Sequence, residues 1–305
     1  MSQENLSLEL LNKHRKTLGL ENPLVIESEN DLFTIQKMLA GSAVVFLPKS
    51  KALIDMTLAL VSKMVVKDGM VVLVGEKDAG IDSAKKLYET NVGPVDQKIV
   101  GNHSALYVGK NKRLGADKKL ENFLSYSPLS YDNIQIEVAN LPGVFSVGEL
   151  DLGTKLLLDH IPYNRKKVLD VGCGSGIIGA LYKKISPESE ITMSDSSKLA
   201  VLSTQKTIKK NNIQAKVLES DIFDNIKETF DLIVTNPPFH KGIDTDYSFI
   251  EKFARDAKKH LNVNGEVYVV ANSFLPYKDI LTKYIGPTNV VIDTKKFRVY
   301  QSLPE

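Results

Sequence analysis

Val168-Leu169-Asp170-Val171-Gly172-Cys173-Gly174-Ser175-Gly176 opens as an apolar run and breaks into three alternating glycines. Phe230-Asp231-Leu232-Ile233-Val234-Thr235-Asn236-Pro237-Pro238-Phe239 opens the same way and breaks into a stiff, amide-bearing loop. A short apolar run rich in Val and Ile reads as a strand buried on both faces. The first run therefore predicts strand, glycine turn and helix, and the second a strand ending in a rigid loop. In an open parallel sheet, ligands sit beyond the carboxyl ends of the strands. Both breaks point to one pocket.

Outward from this stretch the pattern continues. Strands are expected at 167–171, 190–194, 215–219, 231–235, 265–271, 289–293 and 297–300, with helices at 176–185, 197–211, 246–261 and 276–284. The helix after Asp244 repeats Tyr247, Ile250, Ala254, Ala257 and Leu261 on one face. Only Thr294 to Lys296 separate the last two strands, too short a link for a parallel crossover, so they pair antiparallel. Upstream, 131–138 alternates as a strand and 149–160 reads as a helix.

A second alternation of strand and helix fills residues 40–109: strands at 43–47, 70–74, 98–100 and 106–108, helices at 50–66 and 79–88. Short helices at 6–18 and 31–39 precede it, and Lys110 to Ser130 reads as the linker. Val72 to Gly80 resembles Leu169 to Gly176 in outline, without the acid and most of the glycines. These readings predict an α/β protein of two Rossmann-like domains. Residues 1–125 form the smaller, degenerate one, and residues 126–305 form a seven-stranded sheet with a terminal antiparallel hairpin.

The bulk numbers agree. At 305 residues one core is unusual, and 43% hydrophobic with 25% charged residues is ordinary for a globular chain. A net charge of +2 neither demands nor excludes nucleic acid, because a local basic patch hides within a balanced total. One cysteine excludes an intrachain disulfide and suits a reducing, cytoplasmic setting. The first twenty residues lack a signal-peptide pattern, and no run is long enough to cross a membrane.

The glycines at 172, 174 and 176 let the backbone turn sharply and let a ligand approach the main chain. No Gly-Lys-Ser/Thr follows, so the loop is not a P-loop. Gly174-x-Gly176-x-x-Gly179 formally matches a dinucleotide fingerprint, a weak match alone. Asp170, two residues before the first glycine, is instead placed to accept from a ligand ammonium. A cofactor that carries an amino-acid tail, a sulfonium and an adenosine is S-adenosylmethionine. Asp195 lies where a ribose diol sits, a feature both cofactors share, and Asp221 is placed for the adenine 6-amino group. Each aspartate has a plainer reading as a turn or helix cap.

Asn236-Pro237-Pro238-Phe239 presents the Asn236 side-chain oxygen and the Pro237 carbonyl as rigid acceptors, since two prolines fix φ twice and remove two donors. A planar exocyclic amine offers two N–H bonds to that pair, and Phe239 can stack on its ring. Held so, the nitrogen lone pair aims at a methyl donor without a strong base. Asn236 thus faces cofactor and substrate alike. Cys173, the one cysteine, lies in the turn and leaves a cysteine-adduct mechanism without its nucleophile. His240 reads as a loop histidine, and no cluster has metal-ligand spacing.

Leu141-Pro142-Gly143-Val144-Phe145-Ser146 with Leu150-Asp151-Leu152-Gly153-Thr154, the glycine turn, Asn236 to His240, and Val270-Ala271-Asn272-Ser273-Phe274-Leu275-Pro276-Tyr277 occur in that order. Together they resemble the RsmC family of small-subunit ribosomal RNA guanine-N2 methyltransferases. The Asn-Pro-Pro-Phe box is shared with adenine and protein-glutamine methyltransferases, and the large-subunit guanine-N2 enzyme shares more. The resemblance implies S-adenosylmethionine held by the C-terminal domain and covered by the Phe145 loop. It also implies a cofactor-free N-terminal domain that helps hold RNA. The expected partner is ribosomal RNA within the small subunit, met by a monomer without metal or membrane. Lys49, Lys51, Lys110, Lys112 and Arg113 are candidate phosphate contacts or simply solvated charge.

Overall fold

The computed structural model describes every residue except 1–2, 34–38, 102, 146–149, 238–242 and 305. The chain divides into two compact units, Met1–Leu124 and Ser125–Glu305.

In the first unit, α1 (Gln3–His14) precedes β1 (Leu24–Ile26), β2 (Ala40–Phe46), α2 (Lys51–Met64) and β3 (Val65–Glu76). Then come α3 (Ile81–Asn91), β4 (Gln97–Gly101) and β5 (Ser104–Lys110). The Ser50 side chain caps α2 by accepting from the Leu53 N–H at 3.3 Å, which is why the helix starts where its serine stands. The sheet order is β1-β2-β3-β5-β4, parallel through β3 and antiparallel beyond it. Val44, Val72, Val74, Leu106 and Val108 cover one face beneath Leu10 and Leu11. Glu29–Phe33 forms a short 3-10 turn at the start of the helix expected at 31–39, of which residues 34–38 lie outside the described residues.

The second unit begins inside the expected linker. Ser125–Tyr131 is a strand, β6, paired antiparallel with β7 (Ile134–Asn140) across a two-residue turn in which Asp132 has φ 49°. Ser-Tyr-Ser-Pro-Leu-Ser looks loop-like by composition. Leu129 and Tyr131 are nevertheless buried while Tyr126 is exposed, and Pro128 is tolerated because this two-stranded ribbon leaves one side of β6 unpaired.

Next come α4 (Leu152–Leu158), β8 (Lys167–Val171), α5 (Ile177–Ile185), β9 (Glu190–Asp195), α6 (Lys198–Lys210), β10 (Lys216–Glu219) and β11 (Phe230–Thr235). The chain ends with α7 (Ile243–Ala257), β12 (Leu261–Asn272), α8 (Tyr277–Tyr284), β13 (Thr288–Asp293) and β14 (Phe297–Ser302). The sheet order β10-β9-β8-β11-β12-β14-β13 is parallel up to β12 and closes with the expected antiparallel hairpin. This is the seven-stranded α/β methyltransferase architecture.

Alternation along each strand divides the core between the two sheet faces. Val168, Leu232, Val234 and Val270 pack with α4, α5 and the β6–β7 ribbon. Leu169, Val171, Ile233 and Val269 pack with α7 and α8. Each such side chain contributes about 1.5–3 kcal/mol by leaving water.

The internal resemblance of Val72–Gly80 to Leu169–Gly176 is local. Gly80 and Gly176 both start a helix in the left-handed region, at φ 90° and 81°. The strands before them differ in place: β8 lies between two parallel neighbours, whereas β3 has an antiparallel neighbour on one side. The position in the first sheet that matches β8 is β1. Among the described residues, no helix is long and apolar enough to cross a membrane.

Candidate functional site

The turn after β8 takes the conformation its glycines permit. Gly172, Gly174 and Gly176 have φ of 73°, 57° and 81°, where L side chains are strained. The N–H groups of Gly172 and Cys173 donate to the Ser194 carbonyl on β9 at 2.8 and 2.9 Å. The Thr204 hydroxyl donates to the Gly174 carbonyl at 2.9 Å. A Cβ on Gly176 would lie 2.8 Å from the Thr204 methyl, so this glycine is required sterically as well as conformationally.

Two of the predicted carboxylates serve this turn. Asp195, ending β9, accepts from the Gly174 N–H at 2.9 Å and, through its other oxygen, from the Ser197 N–H at 2.8 Å. Asp170 is fully buried; one oxygen accepts from the Gly179 N–H at 3.1 Å and the other has no partner. Burial pushes its carboxyl up to about 7, against the Gly179 N–H, with the nearby Asp195 charge adding to the rise. The Ser175 hydroxyl is likewise buried without a partner. An unsatisfied carboxylate oxygen and hydroxyl at a glycine turn fit the ammonium of an amino-acid tail.

The end of β11 is tied to the same place. The Thr235 hydroxyl donates to the Val171 carbonyl at 2.8 Å, joining the two strand ends. Asn236 donates through Nδ2 to the Thr154 hydroxyl at 2.8 Å, while its Oδ1 is buried without a partner. A small cleft, open to solvent, is lined by Phe145, Thr154, Gly172 to Ser175 and Asn236. The amide and the glycine turn thus share one pocket. Phe145 lies along its rim, its carbonyl 3.7 Å from where a Cβ on Gly174 would stand.

The remaining predicted residues are placed differently. Pro237 is buried and is not part of the cleft lining. Phe239 and His240 lie outside the described residues. Asp221 follows β10 but is exposed and ion-paired with Lys252 on α7 at 2.7 Å, away from the cleft lining. Cys173 is buried with its Sγ 3.4 Å from the Thr204 hydroxyl, and burial pushes its thiol well up, as befits a non-nucleophile. In the first unit Lys112 pairs with Asp68, and Arg113 donates to the Val65 carbonyl, so both side chains have local partners. Among the described residues no group of three or more His, Cys, Asp or Glu could hold a metal.

Sequence reasoning passed over Thr154 and Ser175. A signal for Thr154 was present: Asp151 before an apolar run is a helix cap, and it caps α4 by accepting from the Gly153 and Thr154 N–H groups at 2.9 and 3.1 Å. That cap sets Thr154 on the first turn, facing Asn236.

Comparison with known proteins shows the family of the chain. The methyltransferase small domain model matches residues 135–301, and the methyltransferase small domain N-terminal model matches residues 12–126. The ribosomal RNA small subunit methyltransferase C of Aliivibrio salmonicida is 34% identical over 268 residues, covering 88% of this chain and 79% of the relative. That of Aliivibrio fischeri strain ES114 is 36% identical over 255 residues, covering 84% and 75%. Among solved structures, the T. thermophilus 16S rRNA N2 methyltransferase (RsmC), in complex with AdoMet and guanosine, superposes with a TM-score of 0.77. It is 23% identical, over 90% of this chain and 76% of that one, and shares the fold.

Proposed function

The chain belongs to the methyltransferase small domain family and, within it, to the RsmC proteins; from that premise we propose that it methylates the exocyclic 2-amino group of a guanine in small-subunit ribosomal RNA, with S-adenosylmethionine as donor. The observation that carries this reading is the Asn236 Oδ1: a buried acceptor without a partner, in the cleft that the glycine turn lines.

S-adenosylmethionine supplies an electrophilic methyl on a sulfonium and a neutral sulfide leaving group. The chain's own residues do the rest. Asp170 and Ser175 offer the ammonium an acceptor each, and Gly172, Gly174 and Gly176 admit the tail against the backbone. Asp195, a carboxylate at the end of β9 bonded to the Gly174 N–H, is placed to accept from the ribose hydroxyls, and Phe145 stands at the rim. Asp221 reaches an adenine amine by exchanging its exposed pair with Lys252, a low-cost exchange.

Asn236 Oδ1 accepts one N–H of the guanine amine and the Pro237 carbonyl the other, with Phe239 against the base. This turns the lone pair toward the methyl. A nitrogen–carbon bond forms as the sulfur–carbon bond breaks, and the nitrogen, now acidic, releases a proton to water. A paired guanine hides its amine, so the base is unpaired or flipped out. The first unit helps hold the RNA.

The test is labelled methyl transfer to unmodified small and large ribosomal subunits with the product nucleoside identified. N2-methylguanosine in the small subunit is expected. Label in the large subunit alone would move the substrate, and label in protein would discard RNA.

A further inference from the structure

A side-chain amide has two ends of nearly equal shape and opposite hydrogen-bonding sense. Only its oxygen can accept from an amine. If Asn236 turned over, its NH2 would face the substrate's NH2, donor against donor. Something in the fold must therefore hold the amide one way round, and the loop prolines cannot do so, because they restrain backbone rather than χ2.

We propose that Thr154 is a positioning residue for methyl transfer: its hydroxyl accepts the Asn236 Nδ2–H at 2.8 Å and so turns Oδ1 toward the substrate amine. This rests on the reading of Asn236 given above. Thr154 is 5% exposed, so water does not compete for that bond. Its branched Cβ leaves the side chain only two favoured χ1 wells in a helix, and the bond to Asn236 selects one of them. The helix beneath is anchored, with Leu157 and Leu158 in the core beside Val234 and Val270. The Asp151 carboxylate, bonded to the Thr154 N–H, puts negative charge at this end of the site and favours the amide's positive NH2 there. The arrangement couples the start of α4, which follows the Phe145 segment in the chain, to the orientation of the substrate-reading group.

The test compares wild type, Thr154→Val, Thr154→Ser, Asn236→Ala and the Thr154→Val/Asn236→Ala double variant in single-turnover transfer to unmodified small subunits. Cofactor affinity and thermal midpoint are read in parallel, and guanosine and inosine are titrated calorimetrically. Inosine lacks the 2-amino group and is otherwise the same ligand. Thr154→Val should slow transfer about 10- to 100-fold, the loss expected when a buried donor loses its acceptor, with cofactor affinity held within about twofold. Thr154→Ser should restore most of the rate, and the valine should add nothing to Asn236→Ala. The valine should also shrink the preference for guanosine over inosine while inosine affinity stays put.

A full-rate valine variant overturns the inference and leaves the proposed reaction standing. So does one that slows the Asn236→Ala protein by the same factor, or that weakens both nucleosides alike, since either marks a merely structural role. A wild type that transfers no methyl to guanine, or that does not prefer guanosine to inosine, overturns the reading of Asn236 and takes this inference with it.

Discussion

The two units of this chain share a frame and differ at its rim. In each, a helix is followed by a twelve-residue strand, β3 or β12, that is interrupted near its start by a residue with positive φ and a glycine: Asp68 and Gly69 in one, Asn264 and Gly265 in the other. In each, that strand slips register against its parallel neighbour, between Ala40 and Ser42 or between Phe230 and Leu232. The glycine is required both times, since a Cβ would meet the Gly41 carbonyl at 2.5 Å or the Phe230 carbonyl at 2.9 Å. A helix and an antiparallel hairpin then complete both halves.

Followed through the register, Phe46 stands where Asn236 stands, Leu47 where Pro237 does, and Val25 of β1 where Asp170 does. Phe46 packs against the apolar core of its unit instead of presenting an acceptor. No strand lies beyond β1 among the described residues, so the position that carries Asp195 has no counterpart. The frame sets stability, and the carboxyl edge of the strands sets chemistry.

The comparison breaks first at Asn236. Asn236→Ala should lower the transfer rate about 10²- to 10³-fold, the scale of removing one preorganised hydrogen-bonding group from a transition state, while cofactor affinity persists. Phe46→Asn, which writes the amide into the first unit, should restore no activity to that variant. Rate and calorimetric affinity measured together decide it, and an Asn236→Ala enzyme at full speed would remove the residue from the reaction.

Paired glycines sharpen the contrast. Ala at Gly80 meets only the Ser83 hydroxyl at 3.5 Å, so its cost is the positive φ alone, about 1–2 kcal/mol. Ala at Gly176 adds a 2.8 Å clash with Thr204, whose hydroxyl holds the Gly174 carbonyl, for a total of about 2–5 kcal/mol. Denaturant titration of both variants should rank them so, with cofactor affinity lost only in the second. Equal costs would mean that the turn at Gly176 is no more crowded than its counterpart.

How much of this was legible beforehand follows from what each residue depends on. The β8 turn, the strand β11 and the closing hairpin were readable, because apolar runs, glycines and a short link act locally. β6 was not: its burial comes from the ribbon and helices packed around it, while its composition reads as loop. β1 and its match to β8 were invisible too, since three residues carry no period and the correspondence exists only through sheet register. Thr154 was hidden for a related reason. Its role is a contact with a residue 82 positions away, and only its cap left a mark in the sequence. Asp221 sat at the right strand end, yet the long side chain of Lys252, on another element, determines where its carboxylate points.

Asp170 against Val25 gives a pH test. The folded carboxyl titrates near 7, above its ordinary 3.8, so the folded protein without ligand holds a proton that the unfolded chain releases. Its stability is therefore highest below about 4 from this group and declines as pH rises through about 7. An ammonium ligand prefers the ionised form, so S-adenosylmethionine affinity should move the other way. It should weaken toward tenfold per pH unit below about 7 and level off above. Calorimetry from pH 5.5 to 7.5 should show this slope, and Asp170→Asn should flatten it. A slope unchanged in the asparagine variant would assign the titration elsewhere.

The smallest effect belongs to Asp221. Its pair with Lys252 is exposed on both sides, with side chains 63% and 40% accessible, and Lys252 also reaches Asp224 at 3.3 Å. Such pairs contribute about 0–1 kcal/mol, and a second carboxylate already stands beside the lysine. Asp221→Ala should thus leave the thermal midpoint nearly unmoved. If the carboxylate does trade Lys252 for an adenine amine, the gain is the difference between two exposed hydrogen bonds, and affinity should fall less than about fivefold. Removing Lys252 alone, with Asp221 kept, separates the cases: freed of its partner, Asp221 should bind adenosine slightly better than in wild type. A larger loss than tenfold in the single variant would mean that the carboxylate swings inward and becomes buried on cofactor binding, giving the third strand end the same weight as the first two.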